Sequence, residues 1–197
     1  MIELNSEILS ELYLQNTHSG IHAGEFDQHH SVEKIANQIG SSLRQLHEIP
    51  EGSLSQDLVT QNWQALDKKA IEVLESEGFD SRTLAAPYNQ YSAEELAKNL
   101  LSSTPEEFKP CLTHGNATVD NFWFKNDELV SISGLESLAL RDPVWDVANL
   151  HLSIQQSLGA AVVFAFYDGY GIEPSVSKLD HSIFLINILQ SKTGNTK

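Results

Sequence analysis

His114-Gly-Asn-Ala-Thr-Val-Asp-Asn121, then Phe122-Trp-Phe-Lys-Asn-Asp-Glu-Leu-Val-Ser-Ile132, then Asp142-Pro-Val-Trp-Asp-Val-Ala-Asn-Leu150: this stretch decides how the chain is read. The polar triplet His114-Gly115-Asn116 sits in a loop, and Asn121 follows five residues after Asn116, just before a strand. Residues 121–125 are rich in strand formers, Asn126-Asp127 is a turn, and 129–132 alternates as a second strand, which predicts one small hairpin. Asp142-Pro143 has the form of an aspartate N-cap with proline at the first helical position. That helix should run through Trp145, Val147, Ala148 and Leu150 to about Gln156. Residues 110–114 read only as a short apolar step into the loop.

Upstream, the apolar positions Val32, Ile35, Ala36, Ile39, Leu43 and Leu46 fall at three- and four-residue steps behind Ser31, which predicts a helix over 31–47 stopped by Pro50. A second helix is expected over 58–77, with Gly78 closing it. A third starts after Ser92, where Glu95 completes a capping box, and reaches about Leu101. Downstream, helices are expected near 160–170 and 177–190, separated by Gly171 and Pro174. Residues 1–30 hold a short apolar pattern (Ile8, Leu9, Leu12, Leu14) and then a polar run with His18, His22, His29 and His30. They read as an entry segment or linker, and the four histidines as solvated groups in it, since no helical i, i+4 histidine pair or cysteine partner accompanies them. Residues 191–197 read as a frayed tail. The expected fold class is mainly α (α+β), with residues 31–190 as the domain.

Composition narrows the function. The 197 residues carry 27 acidic and 12 basic side chains, a net charge of −15. Such a charge repels phosphate backbones and anionic lipid, so neither nucleic acid nor a membrane surface is an expected partner. No apolar run approaches the ~20 residues of a transmembrane helix, and the N-terminus lacks the basic and apolar regions of a signal peptide. The single cysteine, Cys111, can form no internal disulfide and offers no zinc cluster. These features point to a soluble, acidic, cytoplasmic protein.

The loop spacing matches the H-x-D-x-x-x-x-N catalytic loop of kinase-like phosphotransferases. Together with the hairpin and the R-D-P-x-x-D-x-A helix start at 141–148, it resembles the aminoglycoside phosphotransferase and choline kinase-like family. The likeness covers roughly 31–190, including the IANQIGSSLRQLHEIP helix and the FYDGYGIEP segment. It implies the helical C-terminal lobe of a protein-kinase-like fold. It also implies ATP and Mg²⁺ as cofactors, Asn116 at the general-base position, Asn121 at a metal- and cofactor-binding position, and Gly134, eight residues before Asp142, at the metal-aspartate position. By the same resemblance, His114, Asp142 and Asp146 support the loop, and Asp168 and Glu173 line the side where a small cationic substrate binds.

The chain departs from that pattern at three places. An asparagine amide takes up no proton near neutral pH, so general-base assistance worth about 10²–10⁴ in rate is lost at Asn116. Glycine at 134 supplies no ligand, whereas Mg²⁺ is usually held by one or two carboxylates together with phosphate oxygens. About thirty residues precede the first matching helix, too few for the β-rich N-terminal lobe of the family, so that lobe is expected to be absent. Asp120 and Glu136 lie near the lost carboxylate, but a two-residue shift along a strand displaces a group by ~7 Å.

The expectation is therefore a family member that is catalytically degenerate, a pseudokinase-like binding module. Its exposed lobe face would be covered by a protein partner or a second copy. The alternative is an active ATP- and Mg²⁺-dependent phosphotransferase acting on a small hydroxyl or cationic compound, its front lobe supplied by another chain. A plainer reading also stands for each residue: Asp142 as a helix cap, His114 as a buried prop, and the asparagines as turn residues.

Overall fold

The computed structural model describes residues 20–25, 31–54 and 56–191. The apolar pattern of 8–14, His18, His29, His30 and the tail from 192 lie outside the described residues. Two compact units emerge. One is built from residues up to Thr60 together with Lys109–Pro174, the other from Gln61–Phe108 together with residues from Ser175 on. Both units draw on the 31–190 stretch, and each is discontinuous in sequence.

In the first unit, α1 (Val32–His47) buries Ile35, Ala36, Ile39, Gly40, Leu43 and Leu46 along one stripe, as the helical period demands. A three-stranded sheet holds β1 (Ile21–His22), β3 (Phe122–Lys125) and β4 (Glu128–Ile132) in the order β1-β3-β4. The β3–β4 hairpin turns through Asn126 and Asp127, at φ +54° and +59°. Positive φ at both central residues is the condition for a two-residue turn whose twist matches its strands. The linker reading fails for residues 20–25. Ile21 pairs with Phe124 and His22 with Trp123, and Ala23 is fully buried, because an open β3 edge offers backbone partners that a solvated chain lacks.

A second, two-stranded sheet pairs β2 (Cys111–Thr113) antiparallel with β5 (Ala139–Arg141). The expected mainly α fold with its small β3–β4 hairpin is present, and the short strands β1, β2 and β5 add to it. Three-residue strands carry too little periodicity to register in sequence, and their partners lie 26 to 30 positions apart. Thr60 joins Leu140 in a parallel bridge, and Leu140 donates its N–H to the Val59 carbonyl.

Helices α4 (Val144–Ser157) and α5 (Val163–Tyr170) complete the unit. Helix α5 lies against α1 at backbone contact. A Cβ on Gly40 would strike the Phe166 carbonyl, and one on Gly169 would strike the Asn37 carbonyl. Each glycine permits an approach that any larger residue would block.

The second unit is helical: α2 (Trp63–Leu74), α3 (Ala93–Ser103) and α6 (Val176–Leu189). Helix α2 starts five residues later than its apolar pattern suggests, since the pairing at Thr60 keeps the chain extended and Asn62 then caps, accepting the Ala65 N–H at 2.9 Å. The capping box of α3 is formed on both sides, Ser92 to the Glu95 N–H and Glu95 back to the Ser92 N–H. Trp63, Leu66, Ala70, Leu96, Leu100, Leu185 and Ile188 make its buried core. Among the described residues no helix is long and apolar enough to cross a membrane.

Candidate functional site

The loop after β2 is held from below by one carboxylate. Asp146, on the first turn of α4 and wholly buried, accepts the His114 N–H at 2.6 Å and the Gly115 N–H at 2.8 Å. His47, at the end of α1, approaches the same carboxylate through Nε2 at 3.1 Å, while its Nδ1 meets the Tyr170 hydroxyl at 2.9 Å. Burial alone would push the Asp146 carboxyl up. The His47 hydrogen bond and charge, with the Gly115 N–H, outweigh that and hold it below the usual carboxylate value. The Trp145 indole N–H adds a bond to the Gly115 carbonyl at 2.9 Å. Gly115 itself sits at φ +86°, and a Cβ there would strike the Ser137 carbonyl.

His114 is fully buried. Its Nε2 bonds the Ser133 carbonyl at 2.7 Å, and its Nδ1 takes the Asn116 N–H at 3.3 Å. The ring thus ties the loop to the segment after β4 and leaves neither nitrogen for chemistry.

Three sequence-singled positions come together above this base. Asn121 donates Nδ2 to the Asn116 carbonyl at 2.8 Å and to Thr118 Oγ1 at 3.4 Å. Its Oδ1 accepts the Ser133 hydroxyl at 3.2 Å, and Ser133 Oγ in turn accepts the Trp123 indole N–H at 3.1 Å. Gly134 adopts the left-handed conformation (φ +79°, ψ 23°). A Cβ placed on it would lie 2.8 Å from Asn121 Oδ1. A side chain at 134 would therefore point at the Asn121 carboxamide, and Asn116 stands exposed beside them.

The other candidates lie apart from this group. Asp142 is buried and accepts the Val144 N–H at 3.2 Å through Oδ1, and Pro143 already has helical torsions. Its Oδ2 takes the Lys109 N–H at 3.4 Å. Asp168 and Glu173 are exposed on and just after α5, which reaches the loop base through Tyr170. Asp120 faces His22, whose Nδ1 lies 3.2 Å from its Oδ1. That contact is outside hydrogen-bond alignment. Glu136 is exposed on a 3-10 turn. The Cys111 thiol is pushed up by burial first and by the Asp146 and Asp142 charges second, which keeps it protonated.

His47, Tyr170, Ser133 and Arg141 were missed in the sequence. Arg141 is buried and donates to Thr113 Oγ1 and the Ser137 carbonyl, both at 3.2 Å. His47 and Tyr170 end helices whose local pattern says only helix, Ser133 follows β4 and Arg141 ends β5, so long-range folding brings them to the loop.

The donor set does not suit Mg²⁺. One carboxamide oxygen, already accepting a hydroxyl proton, and a second amide provide no negative charge for a hard dication that favours carboxylates. Among the described residues no group of three or more His, Cys, Asp and Glu is gathered for a metal.

A loop tied to the helix behind it by a buried aspartate, next to a hairpin whose last turn faces an asparagine, defines a protein of the kinase-like phosphotransferase fold. Comparison with known proteins goes further: the sequence profile of the phosphotransferase enzyme family (APH) matches residues 2–179, and the chain belongs to that family. No curated protein matches it by sequence. Among solved structures it is similar to an aminoglycoside-3'-phosphotransferase of type VIII, with a TM-score of 0.74 and 17% identity over 86% of this chain and 65% of that one. A Streptomyces rimosus aminoglycoside phosphotransferase in complex with ADP and streptomycin gives 0.69 and 18%, over 89% of this chain and 69% of that one. A macrolide 2'-phosphotransferase from Brachybacterium faecium gives 0.57 and 16%, over 85% and 57%. At these identities the likeness establishes the fold. The chain spans less than two thirds of the length of the first of them.

Proposed function

We propose that this chain is a phosphotransferase-family protein that works by binding, without phosphoryl-transfer chemistry of its own. The observation that carries this is the closed hydrogen-bond chain Trp123–Ser133–Asn121–Asn116, which engages the amide oxygen at the remaining metal position and meets a bare glycine at the other. Phosphoryl transfer depends almost wholly on positioning and charge stabilisation, and among the described residues the positions 116, 121 and 134 offer neither a proton acceptor nor an anionic metal ligand. The related structure with ADP makes a nucleotide the first ligand to try, and the aminoglycoside and macrolide enzymes make a small cationic compound the second, met by Asp168 and Glu173. A protein partner or a second copy on the lobe face belongs to the same reading, as does a cytoplasmic setting.

The test is transfer of the γ-phosphate from ATP with Mg²⁺ to aminoglycosides, macrolides and choline, run beside thermal stability with and without nucleotide. The expected result is no transfer above background. A ligand at 100 times its Kd adds about 2.7 kcal/mol of stability, so binding without turnover shows as a shifted Tm alone. Mg²⁺-dependent phosphorylation that disappears in Asn116→Ala overturns the proposal.

A further inference from the structure

The second unit holds a cluster of reactive groups that the family motifs do not touch. His181, on α6, is 1% exposed, and its Nε2 lies 2.9 Å from Oδ1 of Asp67, itself 2% exposed. The other ring nitrogen, Nδ1, lies 2.9 Å from Ser103 Oγ. Thr104 donates to Asp67 Oδ2 at 2.6 Å, so both carboxylate oxygens are engaged and the orientation of the carboxylate is set. An ionised carboxylate only accepts, so Nε2 carries the ring proton, and a neutral imidazole then turns its Nδ1 lone pair toward the Ser103 hydroxyl. That hydroxyl also reaches the Leu100 carbonyl at 3.0 Å; its proton has two acceptors, one of them a base.

The cluster opens on a cavity of about 630 Å³ that both Ser103 and His181 line. Tyr88 and Phe184 form one wall, stacked with centroids 4.6 Å apart and planes 2° from parallel. Asn99, four residues before Ser103 on α3, lines the same cavity, so its carboxamide lies on the face of the helix that carries the serine. Asp180 also borders the cavity and disfavours an anionic occupant.

We propose that Ser103 is an activated nucleophile that hydrolyses neutral or cationic esters of apolar or aromatic acids seated in this cavity. A nucleophile bonded to a base, a base oriented by a buried acid and an amide donor nearby are the parts such a step requires. Ser103 Oγ attacks the ester carbonyl carbon while its proton passes to His181 Nδ1, with Asn99 offering an N–H to the developing oxyanion. Collapse breaks the ester C–O bond, and His181 returns the proton to the departing alkoxide, which leaves as the alcohol. Water, deprotonated by the same nitrogen, then releases the acid and restores the serine. Asp67 is a positioning residue that fixes the tautomer.

The experiment uses the full chain with p-nitrophenyl butyrate as ester and a fluorophosphonate as trapping reagent, the adduct being mapped by mass spectrometry. The expected result is an adduct on Ser103 in the folded protein and none on that residue after heat denaturation. Ester hydrolysis should fall to background in Ser103→Ala, an exposed change that leaves the core intact. In Asp67→Asn and His181→Gln, each checked for its fold by circular dichroism, the rate should fall about 10²-fold or more and lose its rise with pH. The proposal is overturned by no adduct on Ser103, by hydrolysis that survives Ser103→Ala, or by a folded His181→Gln whose rate and pH profile match the parent. A failure here leaves the kinase-fold site untouched, since the two rest on different residues.

Discussion

Removing Asp146 should loosen the whole first unit, and the size of the effect follows from what the carboxylate holds. Three donors converge on it: the His114 and Gly115 backbone N–H groups and the His47 ring. In Asp146→Ala all three lose their acceptor, the His114 N–H buried and the other two part-buried. Each unsatisfied buried donor costs about 1–3 kcal/mol, and breaking a buried charged pair costs about 3–5 kcal/mol. These overlap, since His47 is counted in both, so about 4 kcal/mol is the expected loss. Against a total stability of about 5–15 kcal/mol, that leaves a folded but weakened protein. With an m-value of about 2 kcal/mol per molar urea, the midpoint followed by circular dichroism moves down by about 2 M. Asp146→Asn keeps one acceptor oxygen but turns an NH₂ toward a donor, and should cost roughly half as much. The pH dependence adds an independent arm. A carboxyl held low in the folded state contributes stability that is complete above its unfolded value of about 3.9 and is lost as pH falls through the folded value. The parent should therefore lose stability below about pH 4, and Asp146→Asn should show a shallower acid limb. A midpoint shift under about 0.5 M for Asp146→Ala, or an unchanged acid limb in Asp146→Asn, would refute the assignment of Asp146 as the brace.

The other predictions follow from the same geometry. Asn116→Asp with Gly134→Asp places a carboxylate beside Asn121 Oδ1, so calorimetry should detect tighter Mg²⁺ binding than in the parent; no gain in a folded double variant would refute the reading of 116, 121 and 134 as one site. The left-handed conformation at 134 costs a side chain about 1–2 kcal/mol, so that variant should also melt somewhat lower. Gly40→Ala forces α1 off α5 at the Phe166 carbonyl and should destabilise by about 1–3 kcal/mol in urea unfolding, as overpacking does; a neutral result would show that the crossing is loose. Cys111 should react with iodoacetamide at pH 8 far more slowly than a free cysteine, because burial and two carboxylates keep its thiol protonated. Equal rates would sink that account.

Much of the local structure was legible. The stripe Ile35–Leu46, the Ser92/Glu95 capping box and the Asn126-Asp127 turn are written in neighbouring residues, and neighbours decide helix faces, caps and two-residue turns. The order of the loop, hairpin and Asp142-Pro143 start was enough to place Asn116, Asn121 and Gly134 in one region. The short strands β1, β2 and β5 were not legible, since two or three residues hold no period and their partners lie far away in sequence.

Residue types alone gave the expectation that this chain puts one amide, Asn116, and a glycine, Gly134, where the motif it resembles has aspartates, because protonation chemistry belongs to the side chain wherever it sits. Only the tertiary structure decided that Ser133 occupies the Asn121 oxygen, that His47 and Tyr170 stand behind Asp146, and that Ser103, His181 and Asp67 meet. A hydrogen bond depends on angstroms, and residues 12 to 123 positions apart reach that distance only when a packed core has fixed where each backbone runs.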